Sequence, residues 1–376
     1  MQFNPPDHPC PFIDQFYETK DGRLFCPAGF YPHLERAWCD FLGAAPIHAR
    51  VAEKIKEWNA FELEDKANVV GLVGAVVRTI EEWAATDCGK QLAQTPVIEI
   101  EKVGESAPVP LPAGMDRPLS GLHVISNTHE IAGSTVGKTL AEQGADALKV
   151  TTPQEFFHDA IFLEAGMGMR QAYVDFKTPE GLKTMHALLK NADVFVENYR
   201  QKSFVEKGVD AKTVATQYPG IIYVSVHGVT HHGPWATRGC FDPRGHSHDW
   251  AVCAGRQPGG SQISALWSAQ RCHFRRHLYR GGLRCLAAPL PRRGQLHRAY
   301  LSCPLLHVVW PLGFLEPSAT KAEGEEHELI EPDMLDIETP LGHLRRPAPC
   351  VEFSETPRRW THPLSYRSAD KPEWLP

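Results

Sequence analysis

A lysine in a glycine-containing turn is the first feature of this sequence that suggests chemistry. Residues 132–139, AGSTVGKT, fit a relaxed phosphate-binding pattern, (A/G)-x-x-x-x-G-K-(S/T). In a P-loop, backbone N–H groups surround the phosphates and the lysine pairs with the β- and γ-phosphates. Here Ala132 replaces the first glycine, and residues 127–131 separate the turn from the preceding strand. A nucleoside triphosphatase that uses Lys138 is one alternative, and an ordinary strand–turn–helix with a close-packed Gly133 is the other.

A histidine pair, His231-His232, is the second candidate group. Adjacent loop residues rarely point at one ion, and the sequence places no third ligand nearby. We therefore predict no metal site.

The elements that must position such groups change character along the chain. Residues 1–20 predict an irregular N-terminus. Residues 21–105 predict a small helix-rich domain, with a buried stripe that includes Phe61 and Val69. The exception is the alternating stretch TPVIEIEKVG at 95–104, which predicts a strand. A proline-rich linker follows at 106–118.

From residue 119 onward, strands alternate with helices. The strand candidates are LHVIS, ALKV, AYVDF, DVFVEN and IIYVSVHG, and the intervening helices include STVGKTLAEQG and PEGLKTMHALLKNA. Such alternation implies parallel strands joined by right-handed crossovers. The fold class predicted for residues 119–310 is therefore α/β, a doubly wound parallel sheet, followed by an irregular C-terminal segment at 311–376.

Composition excludes several classes. The chain has 376 residues, 42% of them hydrophobic, with a net charge of −6, so neither nucleic acid nor a membrane is expected as a partner. No apolar run approaches the ~18 residues that span a bilayer. The ten cysteines include no C-x-x-C pair. We expect free thiols and a cytoplasmic protein.

Several segments resemble family III CoA-transferases, the CaiB/BaiF type that includes formyl-CoA transferase, carnitine CoA-transferase and α-methylacyl-CoA racemase. They occur in the family's order: HEIAGSTVGKTLAEQGADALKV, GMRQAYVDFKTPEGLKTMHALLKNADVFVENYR and GIIYVSVHGVTHHGPWATRGCFD. Residues 22–104 resemble the family's small domain, placed here before the CoA-binding domain. PLGHLRRPAP resembles a late family segment.

The resemblance implies that coenzyme A, brought as acyl-CoA, is a substrate and that no cofactor is tightly bound. The expected partners are acyl-CoA and a carboxylic acid, and the expected assembly is a homodimer. A ligand of this shape suits the crevice at the carboxyl ends of parallel strands. The CoA-binding residues implied by the resemblance are His129, Ala132, Gly133, Lys149, Thr152, Asn198, Tyr199 and Arg200.

The family's nucleophile is missing from its expected place. In this family an aspartate attacks the acyl-CoA carbonyl, and an acyl-enzyme anhydride forms as CoA leaves. Here that window holds Arg271 and Cys272, and no Asp or Glu occurs between Trp250 and Leu315. Asp242 matches an aspartate beside the active site in the racemase branch, or it caps a helix.

Residues 245–309 are aberrant in composition. Residues 244–309 contain ten Arg, no Lys and one acidic residue. Back-translated and read one nucleotide later, they regain helical periodicity and an Asp, in LLND, across Arg271 and Cys272. We hypothesise two compensating frame shifts, which predicts a poorly ordered segment and little or no transferase activity. A catalytically dead CoA-binding remnant and a genuine divergent insertion remain alternatives.

Overall fold

The fold is described from a computed structural model of the chain. The residues that the structure describes are 10, 12, 16–96, 98–107, 115–228, 231–233, 235–240, 256–257, 260–261, 295–301, 332–349, 351, 353–356 and 359–375.

The first region, residues 16–96, combines a small antiparallel sheet with helices. Its three strands, in spatial order, are β1 (Tyr17–Glu18), β2 (Leu24–Ala28) and β3 (Val73–Val76). Its helices are α1 (Pro32–Leu42), α2 (His48–Ile55), α3 (Ala60–Val69), α4 (Ile80–Ala85) and α5 (Asp87–Gln94). The helices were predicted, but β2 and β3 fall in stretches for which only helices were expected.

The core of this region forms where the sheet meets α1, α2 and α3. Trp38, Ile55 and Leu63 are fully buried there. Two members of the predicted stripe are not: Phe61 is 41% exposed and Val69 is 86% exposed. Val69 is the last residue of α3 and follows the buried Ala67 by two positions, which places it on the opposite face of the helix.

The second region is the predicted α/β layer. Its strands are β4 (Ile98–Gly104), β5 (His123–Asn127), β6 (Asp146–Thr151), β7 (Arg170–Tyr173), β8 (Val194–Glu197), β9 (Ile222–His227), β10 (Arg256–Gln257), β11 (Gly260–Ser261) and β12 (Gln295–Leu301). Its helices are α6 (Ala132–Glu142), α7 (Asp159–Ala165), α8 (Pro179–Leu189), α9 (Gln201–Val205) and α10 (Ala211–Gln217).

Seven strands form one sheet in the order β4-β12-β9-β8-β5-β6-β7. All neighbours pair in parallel except β4, which pairs antiparallel with β12. The strand predicted at 95–104 is thus an edge of the large sheet. β12 lies within residues 245–309, for which we predicted a poorly ordered segment. Most of that segment, the nucleophile window among it, lies outside the described residues, as does Asp242.

Helices cover both faces of the sheet, which confirms the doubly wound class. Val124 packs on one face with α6, whereas its neighbour Ile125 packs on the other with α8 and α10. Adjacent residues of a strand point to opposite faces, so both must be apolar when both faces are covered.

Local signals set the ends of these helices. Thr178 caps α8 by accepting the N–H of Gly181 at 3.0 Å, and Pro179 fills the first turn. Gly144, with a φ of +104°, turns the chain after α6 into β6.

The C-terminal segment crosses back over the α/β region. Its described part, from residue 332, contains a hairpin of β13 (Met334–Thr339) and β14 (Gly342–Pro347), where an irregular segment was expected. Asp370 accepts the backbone N–H of Gln171 at 2.8 Å, and the Trp374 indole donates to the Leu188 carbonyl at 3.1 Å. None of the helices in the described ranges is long and apolar enough to cross a membrane.

Candidate functional site

Three loops meet at the carboxyl ends of β5, β6 and β8. These strands are neighbours and run parallel, so the segments that follow them leave the sheet at the same edge. His129 follows β5 and Asn198 follows β8, and the two join reciprocally. The His129 N–H donates to Asn198 Oδ1 at 2.7 Å, and Asn198 Nδ2 donates to the His129 carbonyl at 2.7 Å. We call this edge the carboxyl-end crevice.

Gly133 lies in the first turn of α6, beside the crevice. A Cβ at this position would stand 2.7 Å from Asn198 Cγ and 2.8 Å from Thr128 Cγ2, closer than real Cβ atoms come to other atoms. The absence of a side chain therefore lets the helix start approach both loops. A helix start so placed offers backbone N–H groups, which favour anions.

Lys149, near the end of β6, is buried behind the start of α6. Its side chain is 1% exposed. The ammonium group donates to Ser134 Oγ and, at 3.4 Å, to Thr128 Oγ1, which lies 3.0 Å from Ser134 Oγ. Burial lowers the pKa of Lys149 to about 8, although Glu155 and Glu130 oppose this shift.

Glu155 connects the β6 loop to the other two. Its Oε1 lies 2.6 Å from His129 Nδ1, an ion-pair distance, although the approach is not that of a well-aligned hydrogen bond. The Tyr199 hydroxyl donates to the same oxygen. Burial alone would raise the pKa of Glu155, but the contacts with His129 and Tyr199 outweigh it and lower this pKa. Burial and Glu155 raise the pKa of Tyr199.

The first region also reaches the crevice, through Tyr31. Its hydroxyl lies 2.6 Å from His129 Nε2 and also donates to Glu130 Oε1. Burial and Glu130 raise the pKa of Tyr31, so the phenol stays protonated. The His129 ring is thus flanked by Tyr31 at one nitrogen and Glu155 at the other.

Most of the implied CoA-binding residues come together here. Thr152 lies beside Glu155, whose backbone N–H donates to the Thr152 carbonyl at 3.1 Å, and Ala132 opens α6. Arg200 takes another direction, because its guanidinium donates to the Gly71 carbonyl of the first region at 2.9 Å. Asp242 lies outside the described residues.

The P-loop alternative is contradicted by the local geometry. Residues 132–142 are helical from Ala132 onward, so no loop remains to surround a phosphate. Lys138 is 4% exposed and donates to the Glu164 backbone carbonyl at 3.0 Å and side-chain Oε1 at 2.5 Å.

Sequence reasoning missed several residues of this site. Ser134, Thr128 and Glu155 each lie within six residues of a predicted position, and a search for polar groups flanking strand ends would have found them. Tyr31 had no such signal, because it precedes His129 by 98 residues.

Over part of its length the chain is similar to known proteins. Residues 119–262 match the family model "CoA-transferase family III". A succinate–glutarate CoA-transferase from Agrobacterium fabrum is 31% identical over 33% of this chain and 36% of its own length. An acyl-CoA transferase from Gibberella moniliformis is 25% identical over 57% of this chain and 37% of its own length. The chain thus spans less than half the length of these relatives.

Among solved structures, a CAIB/BAIF family protein from Brucella suis is 24% identical, with a TM-score of 0.44. The similarity covers 61% of this chain and 65% of that one. The family match contains β5, β6, β7, β8 and β9, with the loops that form the carboxyl-end crevice. Residues 119–262, which contain most of the α/β region, are thus similar to CoA-transferase family III.

Proposed function

We propose that the carboxyl-end crevice binds coenzyme A and its thioesters, in a fold whose relatives include proteins named as CoA-transferases. The observation that carries this proposal is the arrangement of Gly133, Asn198 and Lys149. A helix start without a side chain, a loop amide and a buried cation meet at one edge of a parallel sheet. That edge is where doubly wound folds bind nucleotides.

Each group has a physical role in this proposal. The backbone N–H groups at the start of α6 suit phosphate oxygens. Lys149 donates to the hydroxyl oxygens of Ser134 and Thr128. Each hydroxyl keeps its own proton, which it can donate to a ligand, so the lysine would act on the ligand through these two hydroxyls. His129 and Asn198 join the loops that follow β5 and β8.

The chemical step needs a carboxylate that residues 250–315 do not contain. Transfer through an acyl-enzyme would place the acyl group on an aspartate oxygen as CoA leaves as its thiolate. We therefore propose that this polypeptide binds CoA and turns over little or not at all, the behaviour of a remnant. Racemisation of an acyl-CoA would need an acid and a base flanking the α-carbon, of which the sequence offers only Asp242.

Binding and turnover are measured separately on the purified full chain. Isothermal titration calorimetry with CoA should give saturable binding, and absence of binding contradicts the proposed site. A transfer assay should pair succinyl-CoA with glutarate and with L-malate, the acids in the names of two relatives. Turnover by this polypeptide would contradict loss of the nucleophile.

The frame hypothesis is tested at the nucleic-acid level. Sequencing the coding DNA and transcript across codons 240–312 should show whether compensating one-nucleotide shifts are present. If the shifts are absent from the true coding sequence, the protein contains the aspartate and should be an active transferase or racemase. If they are confirmed, the remnant interpretation holds. We also propose a cytoplasmic homodimer, which light scattering after gel filtration tests as a doubled mass.

A further inference from the structure

Tyr31 precedes α1 at the N-cap position, where a tyrosine side chain does not stabilise the helix. It is the N-cap of α1, and its side chain makes no capping hydrogen bond. Ser, Thr, Asp and Asn are preferred at this position because they accept a free backbone N–H. The side chain instead leaves α1 and reaches the carboxyl-end crevice.

The environment of Tyr31 holds the ring in one place. The residue is 3% exposed. Its ring meets Phe156 edge-on at 5.9 Å between centroids and tilts against His158 at 5.5 Å. The hydroxyl contacts His129 Nε2 and Glu130 Oε1. Tyr31 therefore bridges the first region and the loops after β5 and β6.

Glu130, which accepts the hydrogen bond from Tyr31, has an unfavourable backbone conformation. Glu130 has a φ of +55°, in the left-handed region that few residues other than glycine adopt. Such a conformation costs free energy and persists where surrounding contacts fix it. The Tyr31 hydroxyl supplies such a contact. The hydrogen bond thus joins a tyrosine at an N-cap to a glutamate with a positive φ, two locally unfavourable features. Such features are expected at functional sites.

We propose that Tyr31 is a positioning residue for the CoA site: it orients the His129 ring and the Glu130 turn, so the first region completes the crevice. This inference rests on the proposed function, since it assigns the ring to CoA binding. Tyr31 sets the ring from Nε2, while Glu155 contacts it at Nδ1. Folding of residues 16–96 against the sheet therefore determines affinity for the ligand.

The test compares two tyrosine variants in the full chain. Tyr31→Phe removes one oxygen and keeps the aromatic packing. The matched control is Tyr218→Phe, which removes another tyrosine–histidine contact of 2.6 Å, to His186 Nδ1, on α8. Ring signals of labelled histidines are recorded by NMR, with the His129 signal assigned by its loss in His129→Gln. CoA affinity is measured by calorimetry.

Tyr31→Phe should shift the His129 ring signals, leave those of His186 in place and weaken CoA binding about tenfold. Tyr218→Phe should shift the His186 ring signals, leave those of His129 in place and leave CoA affinity unchanged. Unchanged His129 signals, or unchanged affinity, in a folded Tyr31→Phe protein would overturn the inference alone. Failure of the unaltered chain to bind CoA would overturn the proposed function and the ligand half of the inference.

A second variant, Glu130→Gln, keeps the inference testable if Tyr31→Phe does not fold. Glu130→Gln keeps the Tyr31 ring and weakens the acceptor of its hydroxyl proton, and it also removes a charge 3.5 Å from His129 Nε2. It should move the His129 signals in the same direction, with about threefold weaker CoA binding. His129 signals that do not respond to Glu130→Gln would count against the inference.

Discussion

Two lysines of the α/β region are almost completely buried, and their partners differ. Lys138, in α6, pairs with the Glu164 carboxylate and lies 5.4 Å from the Trp360 ring centre. Lys149, in β6, has hydroxyl partners, and its pKa falls to about 8. A buried charge that lacks a directly bonded carboxylate is costly. The comparison teaches that Lys138 secures the C-terminal segment, whereas Lys149 retains a charge that an anionic ligand would stabilise.

The largest expected effect is the pH dependence of stability due to Lys149. Below pH 8 the folded state carries the buried charge, and desolvation opposes folding. Between about 8 and the ordinary value of 10.5 the folded state has released this proton while the unfolded state still holds it. The free energy of unfolding should therefore rise by about 3 kcal/mol over this range, relative to Lys149→Met.

Urea denaturation of both proteins at pH 7.5 and 10 measures this difference. Equal pH dependence in the two proteins would show that Lys149 is not desolvated as the structure has it. Lys149→Met should also weaken CoA binding, since the variant removes the cation behind Ser134.

Gly133→Ala tests the close approach at the crevice. The added methyl group meets Asn198 and Thr128, so the variant should lose about 2 kcal/mol of stability and bind CoA more weakly. In the double variant with Asn198→Ala, part of the stability should return, because the contact with Asn198 Cγ at 2.7 Å is gone while that with Cβ at 2.9 Å remains. Strictly additive losses in thermal or urea unfolding would argue against direct contact.

Lys138→Met tests the role of the lysine that is paired with a carboxylate. The Glu164 side chain is 40% exposed, so the loss of the ion pair should cost only about 1 kcal/mol. CoA affinity should stay unchanged, as should the pH dependence between 8 and 10.5. Binding of a nucleoside triphosphate that disappears in this variant would revive the P-loop alternative.

Glu155→Gln should lower the free energy of unfolding at pH 7, with the smallest effect among these variants. The folded pKa of Glu155 is lowered from the ordinary 4.5. Its stabilising contribution is therefore present above that value and is lost as the pH falls through the folded pKa. The two proteins should differ at pH 7 in unfolding measurements and converge in acid. A difference that persists in acid would locate the effect in packing rather than charge.

The strands of the α/β region were predictable because both faces of the sheet are covered. HVIS and VFVE are short apolar runs between turn signals, and both form strands as expected. β2 and β3 were not predictable in this way. LFCPA contains a proline and VGAV a glycine, and each strand is no longer than five residues. Their pairing comes from contacts across some fifty residues, which periodicity does not report.

The site divides along the same line. Gly133, Lys149 and Asn198 lie at strand or helix ends within one continuous α/β pattern, so their convergence follows from parallel topology. Tyr31 belongs to another region, and only folding of that region onto the sheet brings it to His129. Arg200 shows the converse: it follows β8 as predicted, yet its guanidinium finds the Gly71 carbonyl.

By itself, the sequence determined the doubly wound class, the order of its strands along the chain and the absence of an acidic residue from 250 to 315. These follow from local apolar patterning and residue identity. Only the tertiary structure decided that β4 joins the large sheet, that Lys138 is paired while Lys149 is not bonded to a carboxylate, and that Tyr31 reaches the crevice. Each depends on contacts between distant segments, whose free energies no local pattern encodes.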